Sequence, residues 1–399
     1  MGFRSSGPAA SSSTSPTSRS GSRSGTDVGH TLVVGPTGAG KSVLLSLIAM
    51  QWRRYDRAQV FVFDKGRSAR AAILAMNGTH VELGGTAQPI LQPLRHVDRA
   101  SDARFAVDWL AGLLDAEGLA LTPERKARLW EAISSLASAP QAERTLTGLA
   151  LLLQGETIRA ALHPFTLEGP HGSLLDGDRD ALTLSSLACF EMEELMASPQ
   201  AAPPVLSYLF HRIEEELTGA PTLIILDEAW LFLDHPLFAK RLREWLKTLR
   251  KKNVAVIFAT QSLADIEQSD IAPALIESCP TRIFLPNERA REPLQKQIYE
   301  RFGLNRRQID IIAEATPKRD YYFQSPEGAR VFDLGLGPIG LAFCASAAPE
   351  AQTLIDTLLG QTSLHDFPHA FLDARGLDWA AALLTRWPSS GSHLPIAAE

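Results

Sequence analysis

Gly35-Pro36-Thr37-Gly38-Ala39-Gly40-Lys41-Ser42 has the spacing Gly, four residues, Gly-Lys-Ser, followed by Val43. That spacing suits a loop that grips a polyphosphate. Glycines let the main chain curl tightly and turn its N–H groups inward. A helix opening at Lys41 adds unsatisfied N–H groups and a partial positive charge. Lys41 then stands to reach the β and γ phosphates of a nucleotide, and the Ser42 hydroxyl to ligate Mg2+. A chance Gly-rich turn before a helix is the plain alternative.

Leu223-Ile224-Ile225-Leu226 is an apolar run that ends in Asp227 and Glu228. Such a run belongs to a strand buried on both faces, and ligands collect at the C-terminal edge of an open α/β sheet. Asp227 would hold the magnesium through water, and Glu228 would act as general base on the attacking water. The competing reading is a pair of acids that cap the next helix. A second apolar run, Val254 to Phe258, leads into Ala259-Thr260-Gln261-Ser262. Gln261 would sense the γ-phosphate or orient water, or else serve as a surface cap.

Arg250 ends a basic helix eleven residues before Gln261. An arginine finger from a neighbouring subunit is worth roughly 10³–10⁵ in rate. Lys247, Arg250, Lys251 and Lys252 also suit a solvated helix end that complements its dipole. Arg243, Arg282 and Arg289 are reserves for the finger. Lys65 and Arg67 fall at the same sheet edge, where they would meet phosphate or nucleic acid, or form a solvated loop.

The elements that must position these residues are legible. His30 to Val34 is β-type, Lys41 to Tyr55 repeats apolar residues at helical spacing, and Gln59 to Phe63 is β-type again. Strand, loop, helix and strand make a βαβ unit, which predicts a mainly parallel sheet with right-handed crossovers. The β pattern returns at Thr222–Leu226, Val254–Thr260 and Arg282–Leu285. Pro236 to Lys251 reads as an amphipathic basic helix, and Tyr321–Gln324 with Ala329–Leu334 as a hairpin turning at Ser325-Pro326-Glu327-Gly328. The expected organisation is a disordered Ser/Gly/Arg-rich segment over 1–26 and a nucleotide-binding core over 27–99 and 220–349. An all-helical insert over 100–219 and a C-terminal helical tail over 350–399 complete it.

Composition sets bounds. The 399 residues carry a formal net charge of −6, which argues against coating DNA by charge alone but permits a locally basic channel. Cys189, Cys279 and Cys344 fit no metal or redox spacing, so buried free thiols in a reducing compartment are expected. No apolar run approaches the ~20 residues of a membrane span. An Asn-Lys-x-Asp guanine motif is missing, as is a Leu-Ser-Gly-Gly-Gln signature before Asp227, which argues against a GTPase and a transporter ATPase.

Four strings together resemble the VirB4/TrbE family of type IV secretion ATPases. They are Asp27-Val28-Gly29-His30-Thr31, Val62-Phe63-Asp64-Lys65-Gly66-Arg67-Ser68, Leu226-Asp227-Glu228-Ala229-Trp230 and Phe258-Ala259-Thr260-Gln261-Ser262. Arg319-Asp320-Tyr321-Tyr322-Phe323 and Phe332-Asp333-Leu334-Gly335-Leu336-Gly337-Pro338 resemble its TrbE branch in particular. The resemblance runs from about Asp27 to beyond Asp378. It implies a RecA-like P-loop core of the FtsK/HerA group, ATP and Mg2+ as ligands, and a homo-hexamer. It also implies a place at the cytoplasmic side of the bacterial inner membrane, among other secretion components. By the family pattern Lys41 and Ser42 fall on the nucleotide loop, Asp227 and Glu228 on the acid pair, Gln261 on the sensor and Arg250 on the finger. Family members carry a large N-terminal domain where this chain has a Ser/Gly/Arg stretch, which implies a truncated gene or a motor that stands alone. Two other readings use the same core: a DNA translocase of the coupling-protein or HerA kind, and a nucleotide-gated assembly scaffold.

Overall fold

The computed structural model describes residues 29–85, 88–228, 236–269 and 271–386, and only the backbone of 236–241 and 250. The sequence expectations for 1–26 and for Ala229 and Trp230 therefore lie outside the described residues. The strands are β1 (Thr31–Val34), β2 (Gln59–Asp64), β3 (Thr79–Glu82), β4 (Leu187–Glu191), β5 (Thr222–Leu226), β6 (Val254–Thr260), β7 (Thr281–Phe284), β8 (Asp320–Ser325) and β9 (Gly328–Asp333). They form one sheet in the order β3-β4-β2-β5-β6-β1-β7-β8-β9. Pairing is parallel from β3 across to β7, and β8 and β9 add an antiparallel hairpin at the far edge.

The central strands read as continuous apolar runs because both faces are covered. Side chains alternate across a strand, so Val60, Val62, Leu223, Ile225, Ile257 and Ala259 join one core. Phe61, Phe63, Ile224, Leu226, Val256 and Phe258 join the core on the opposite face. The first face is closed by α1 (Lys41–Trp52), through Leu44, Leu45 and Ala49, and by Ile73 of α2 (Arg70–Ala75). The opposite face is closed by helices that include α3 (Ala100–Ala116), α4 (Pro123–Leu136) and the helix Ala202–Glu216.

The region expected to be helical throughout, 100–219, is corrected at β4, which lies inside it and pairs with both β2 and β3. Leu-Ala-Cys-Phe-Glu holds no β-branched residue, so its short apolar run does not stand apart from a helix segment. The helix Ala202–Glu216 then links β4 to β5 within the core. Helices α3, α4, α5 (Leu146–Leu152) and α6 (Glu156–Leu162) form the helical insertion. The short strand β3, also unforeseen, is an edge strand of mixed polarity.

After β9 the chain packs back onto the helices that cover the sheet's first face. Phe343, Ile355, Phe367 and Phe371 cluster with Ala71 and Leu74 of α2. The buried Arg70 donates to Gln352 at 3.2 Å and to Asp356 at 2.6 Å. All three cysteines are buried and free. No helix among the described residues is long and apolar enough to cross a membrane.

Candidate active site

The loops after β1, β5 and β6 meet at the C-terminal edge of the parallel strands, the usual ligand edge of such sheets. Val34 and Gly35 leave β1 still hydrogen bonded on both sides: Gly35 N–H to Thr260 O at 3.1 Å, and Leu285 N–H to Val34 O at 2.8 Å. A methyl group at Gly35 would come 2.4 Å from the Cβ of Leu285, so only glycine fits there. The turn closes with Ala39 N–H on Pro36 O at 3.2 Å, and Gly40 has φ +105°, a left-handed value that glycine adopts without strain. Thr37 and Gly38 stay exposed at the tip, while Ala39 is buried beneath it.

Lys41, the first residue of α1, is buried, and its Nζ lies 3.1 Å from Asp227 Oδ1 and 2.7 Å from Glu228 Oε1. Gln261 Nε2 donates to the same Glu228 Oε1 at 2.9 Å, and Thr37 Oγ1 donates to Gln261 Oε1 at 2.7 Å. One chain of contacts therefore joins the loop tip, the end of β6, the end of β5 and the start of α1. Glu228 sits at φ +57°, outside the preferred region for a residue with a Cβ, and backbone strain of this kind concentrates at functional sites. Its N–H donates to Asp227 Oδ1 at 3.0 Å. Burial pushes the Asp227 carboxyl above the ordinary range, Lys41 pulls it back, and the Glu228 charge pushes it up again.

Ser42 is half-buried and lines the cleft beside Lys41, Val43 and Asp227. The cleft has a volume of about 810 Å³. A hydroxyl and a buried carboxylate lining one cleft are hard oxygen donors of the kind Mg2+ accepts, so Ser42 and Asp227 fit the ion.

The expected finger fares differently. The backbone of Arg250 belongs to a short 3-10 turn, Leu249–Lys252, just before β6. That is the sheet edge opposite the cleft, on the order of 20 Å away at the usual rise per strand residue; its side chain lies outside the described residues. Within this chain the backbone of Arg250 is therefore not brought to the cleft. Among the reserves, Arg243 lines a cavity at that opposite edge with His30. Arg282 is corrected to a structural part, because its guanidinium donates to the carbonyls of Phe302 at 2.6 Å and Ile276 at 3.0 Å. Arg289 is exposed and paired with Glu292 at 2.9 Å. Lys65 lines the cleft, whereas Arg67 pairs with Glu82 at 2.9 Å.

The cleft's remaining wall comes from the β8–β9 hairpin and the segment after it. Tyr321 Oη donates to Gly40 O at 3.2 Å, and Lys318 N–H donates to Ala39 O at 3.0 Å. Leu334, Leu336 and Leu341 add an apolar surface. Reading residues one by one assigned these no part in the site. Tyr321 and Leu334 were expected in a hairpin, and with Leu336 they lie in strings of the family resemblance.

Beneath the site, Asp64 ends β2 fully buried, accepting from the Ser68 hydroxyl and from Ala69 N–H, each at 2.7 Å. Desolvation, reinforced by the nearby Asp227, pushes its carboxyl from 3.8 up to about 7. A raised folded-state value means that its stabilising contribution is complete below about pH 4 and is lost as pH rises through about 7. Asp64→Asn is expected to flatten the pH dependence of the urea midpoint between about pH 5 and 8 and to raise the alkaline end. Parallel curves for the two proteins would contradict this.

This fold and this cleft are those of a RecA-like P-loop NTPase. A family model described as the TraG P-loop domain matches residues 155–322, which takes in Asp227, Glu228 and Gln261. The chain is 47% identical over 365 residues to the conjugal transfer protein TrbE of Rhizobium radiobacter, covering 90% of this chain and 44% of that one. It is 31% identical over 307 residues to the type IV secretion system protein virB4 of Bartonella henselae, covering 76% and 39%. The solved structure of VirB4 of Thermoanaerobacter pseudethanolicus shares the fold, with a TM-score of 0.63 at 17% identity over 78% of this chain and 90% of that one. The chain belongs to the VirB4/TrbE family. It spans about half, or less, of the length of the curated relatives it matches.

Proposed function

We propose that this chain is the ATP-hydrolysing motor of a conjugation or type IV secretion apparatus, working as a homo-hexamer at the cytoplasmic side of the inner membrane. It would energise pilus assembly and the transfer of DNA or protein alongside other components of the apparatus. The observation that carries the reading is the contact chain Thr37–Gln261–Glu228–Lys41, which ties the phosphate loop to two strand ends.

Lys41 pairs with both Asp227 and Glu228. An arriving triphosphate offers Lys41 a stronger partner, and the backbone N–H groups of Gly38 to Ser42 face the same phosphates. Ser42 and Asp227 would hold Mg2+, which supplies charge neutralisation across the β and γ phosphates. Glu228, released from Lys41 and still held by Gln261, orients a water molecule and accepts its proton. The water oxygen bonds to the γ-phosphorus as the bond to the β–γ bridging oxygen breaks, leaving ADP and phosphate. Gln261, tied to Thr37 at the loop tip, is placed to register whether the γ-phosphate is present.

The cation for transition-state charge would come from Arg250 of the neighbouring subunit, a reading supported by its place at the sheet edge opposite its own cleft. Magnesium-dependent ATPase activity measured against protein concentration tests this. Specific activity is expected to rise steeply as rings assemble, and Arg250→Ala mixed with Glu228→Gln should recover activity that neither variant has alone. Specific activity independent of concentration across ring assembly would contradict completion of the site between subunits.

A further inference from the structure

The loop that follows β2, residues 64–69, is held from beneath by carboxylates from two strands. Asp64 holds Ser68 and Ala69. Glu191, at the end of β4, accepts from Gly66 N–H at 3.1 Å, Arg67 N–H at 2.5 Å and Glu193 N–H at 3.0 Å. From the other side, Gln352 donates to Arg67 O at 3.1 Å, and the Arg67 side chain is paired with Glu82 at 2.9 Å. Gly66 and Arg67 stand at φ +87° and +55°, and for arginine that is an uncommon conformation held by its surroundings.

Lys65 is the exception. It is exposed, lines the same cleft as Lys41, Asp227 and Glu228, and has no hydrogen-bond or ion-pair partner among the described residues. A solvated loop does not require two buried carboxylates and two left-handed residues to hold it. The position is informative as well. β2 neighbours β5, and Asp227 N–H donates to Phe63 O at 2.9 Å, so Lys65 flanks the acid pair on the side away from Gln261. Lys41 approaches from the phosphate loop, so a bound triphosphate would have its terminal phosphate between the loop and this flank. Glu193, which also lines the cleft, is acidic, so among the described lining residues Lys65 is the cation that the β2 and β4 ends contribute.

We propose that Lys65 is a second cation for the terminal phosphate, contacting the γ-phosphate in the bound state and the free phosphate after cleavage, with Asp64 and Glu191 as positioning residues. The proposal rests on the nucleotide reading above. A charge-assisted hydrogen bond to phosphate is a strong one, and Lys65 would make it to the triphosphate but not to the diphosphate.

The test is equilibrium binding of a non-hydrolysable ATP analogue and of ADP, with magnesium, to the full chain and to Lys65→Ala, Lys65→Arg and Lys41→Met. Lys65→Ala should bind the analogue about tenfold or more weakly while ADP affinity stays within about twofold. Lys65→Arg should recover part of the difference. Glu191→Gln should shift the same triphosphate-to-diphosphate ratio, a readout that a purely structural loss would not move. An unchanged ratio in Lys65→Ala, while Lys41→Met loses both nucleotides, overturns the role of Lys65 and leaves the nucleotide site standing. Failure of the parent chain to bind either nucleotide overturns both. An unchanged ratio with weakened, salt-dependent binding of single-stranded DNA would reassign Lys65 to nucleic acid and also overturn the proposal.

Discussion

Glu228→Gln is expected to hold magnesium and ATP about as well as the parent chain and to hydrolyse it about 10²–10⁴-fold more slowly. The substitution keeps the shape of a side chain whose backbone is fixed at φ +57° and whose Oε1 meets both Gln261 and Lys41. An amide oxygen can still accept from Gln261 and from Lys41, so the geometry of the pocket survives. What is lost is the ability to take a proton from water, because an amide is not a base near neutral pH. Single-turnover hydrolysis beside an equilibrium binding curve separates the two effects. A variant that loses binding and turnover together would make Glu228 a structural residue, and one that turns over normally would place the base elsewhere.

Lys41→Met carries the second large effect, and it appears even without nucleotide. Lys41 is 7% exposed and faces carboxylates on residues that are 4% and 8% exposed. Removing the cation leaves two buried acids facing each other, and breaking such a pair from one side typically costs about 3–5 kcal/mol. The expected outcome is a nucleotide-free protein destabilised by about that amount, with nucleotide affinity and turnover both lost. Because the carboxyl of Asp227 is already raised, the deficit should shrink as pH falls and the acids protonate. Adding Asp227→Asn to Lys41→Met should return most of the stability and none of the activity. A Lys41→Met chain as stable as the parent at neutral pH would contradict the Lys41–acid contacts in the free protein.

How far the site could be read from sequence follows from the range of the interactions that build it. The phosphate loop was legible because its conformation is local: positive φ at Gly38 and Gly40, and a helix that starts at Lys41. Asp227, Glu228 and Gln261 were legible because a buried parallel strand is a continuous apolar run, and its end marks the ligand edge. Strand β4 was not, since Leu187–Glu191 holds no β-branched residue and sits among helical patterns, and its pairing with β2 and β3 is what makes it a strand. The wall made by Tyr321 and Leu334 was hidden for a similar reason. Tyr321 reaches Gly40 across 281 positions of sequence, and nothing local to either residue encodes the meeting. Glu191 illustrates the same limit: it is an ordinary strand-end acid until the fold sets it under Gly66 and Arg67. Arg250 is a case where sequence distance misleads, because the seven residues of β6 lie between it and Gln261 and put it at the far edge of the sheet.

The most direct measurement is calorimetric titration of the purified chain with ATP in the presence and absence of magnesium, with Lys41→Met alongside. Stoichiometric binding that needs Lys41, tightens with magnesium and is competed by ADP is the predicted result. A parent chain that takes up no adenine nucleotide at any magnesium concentration would contradict it.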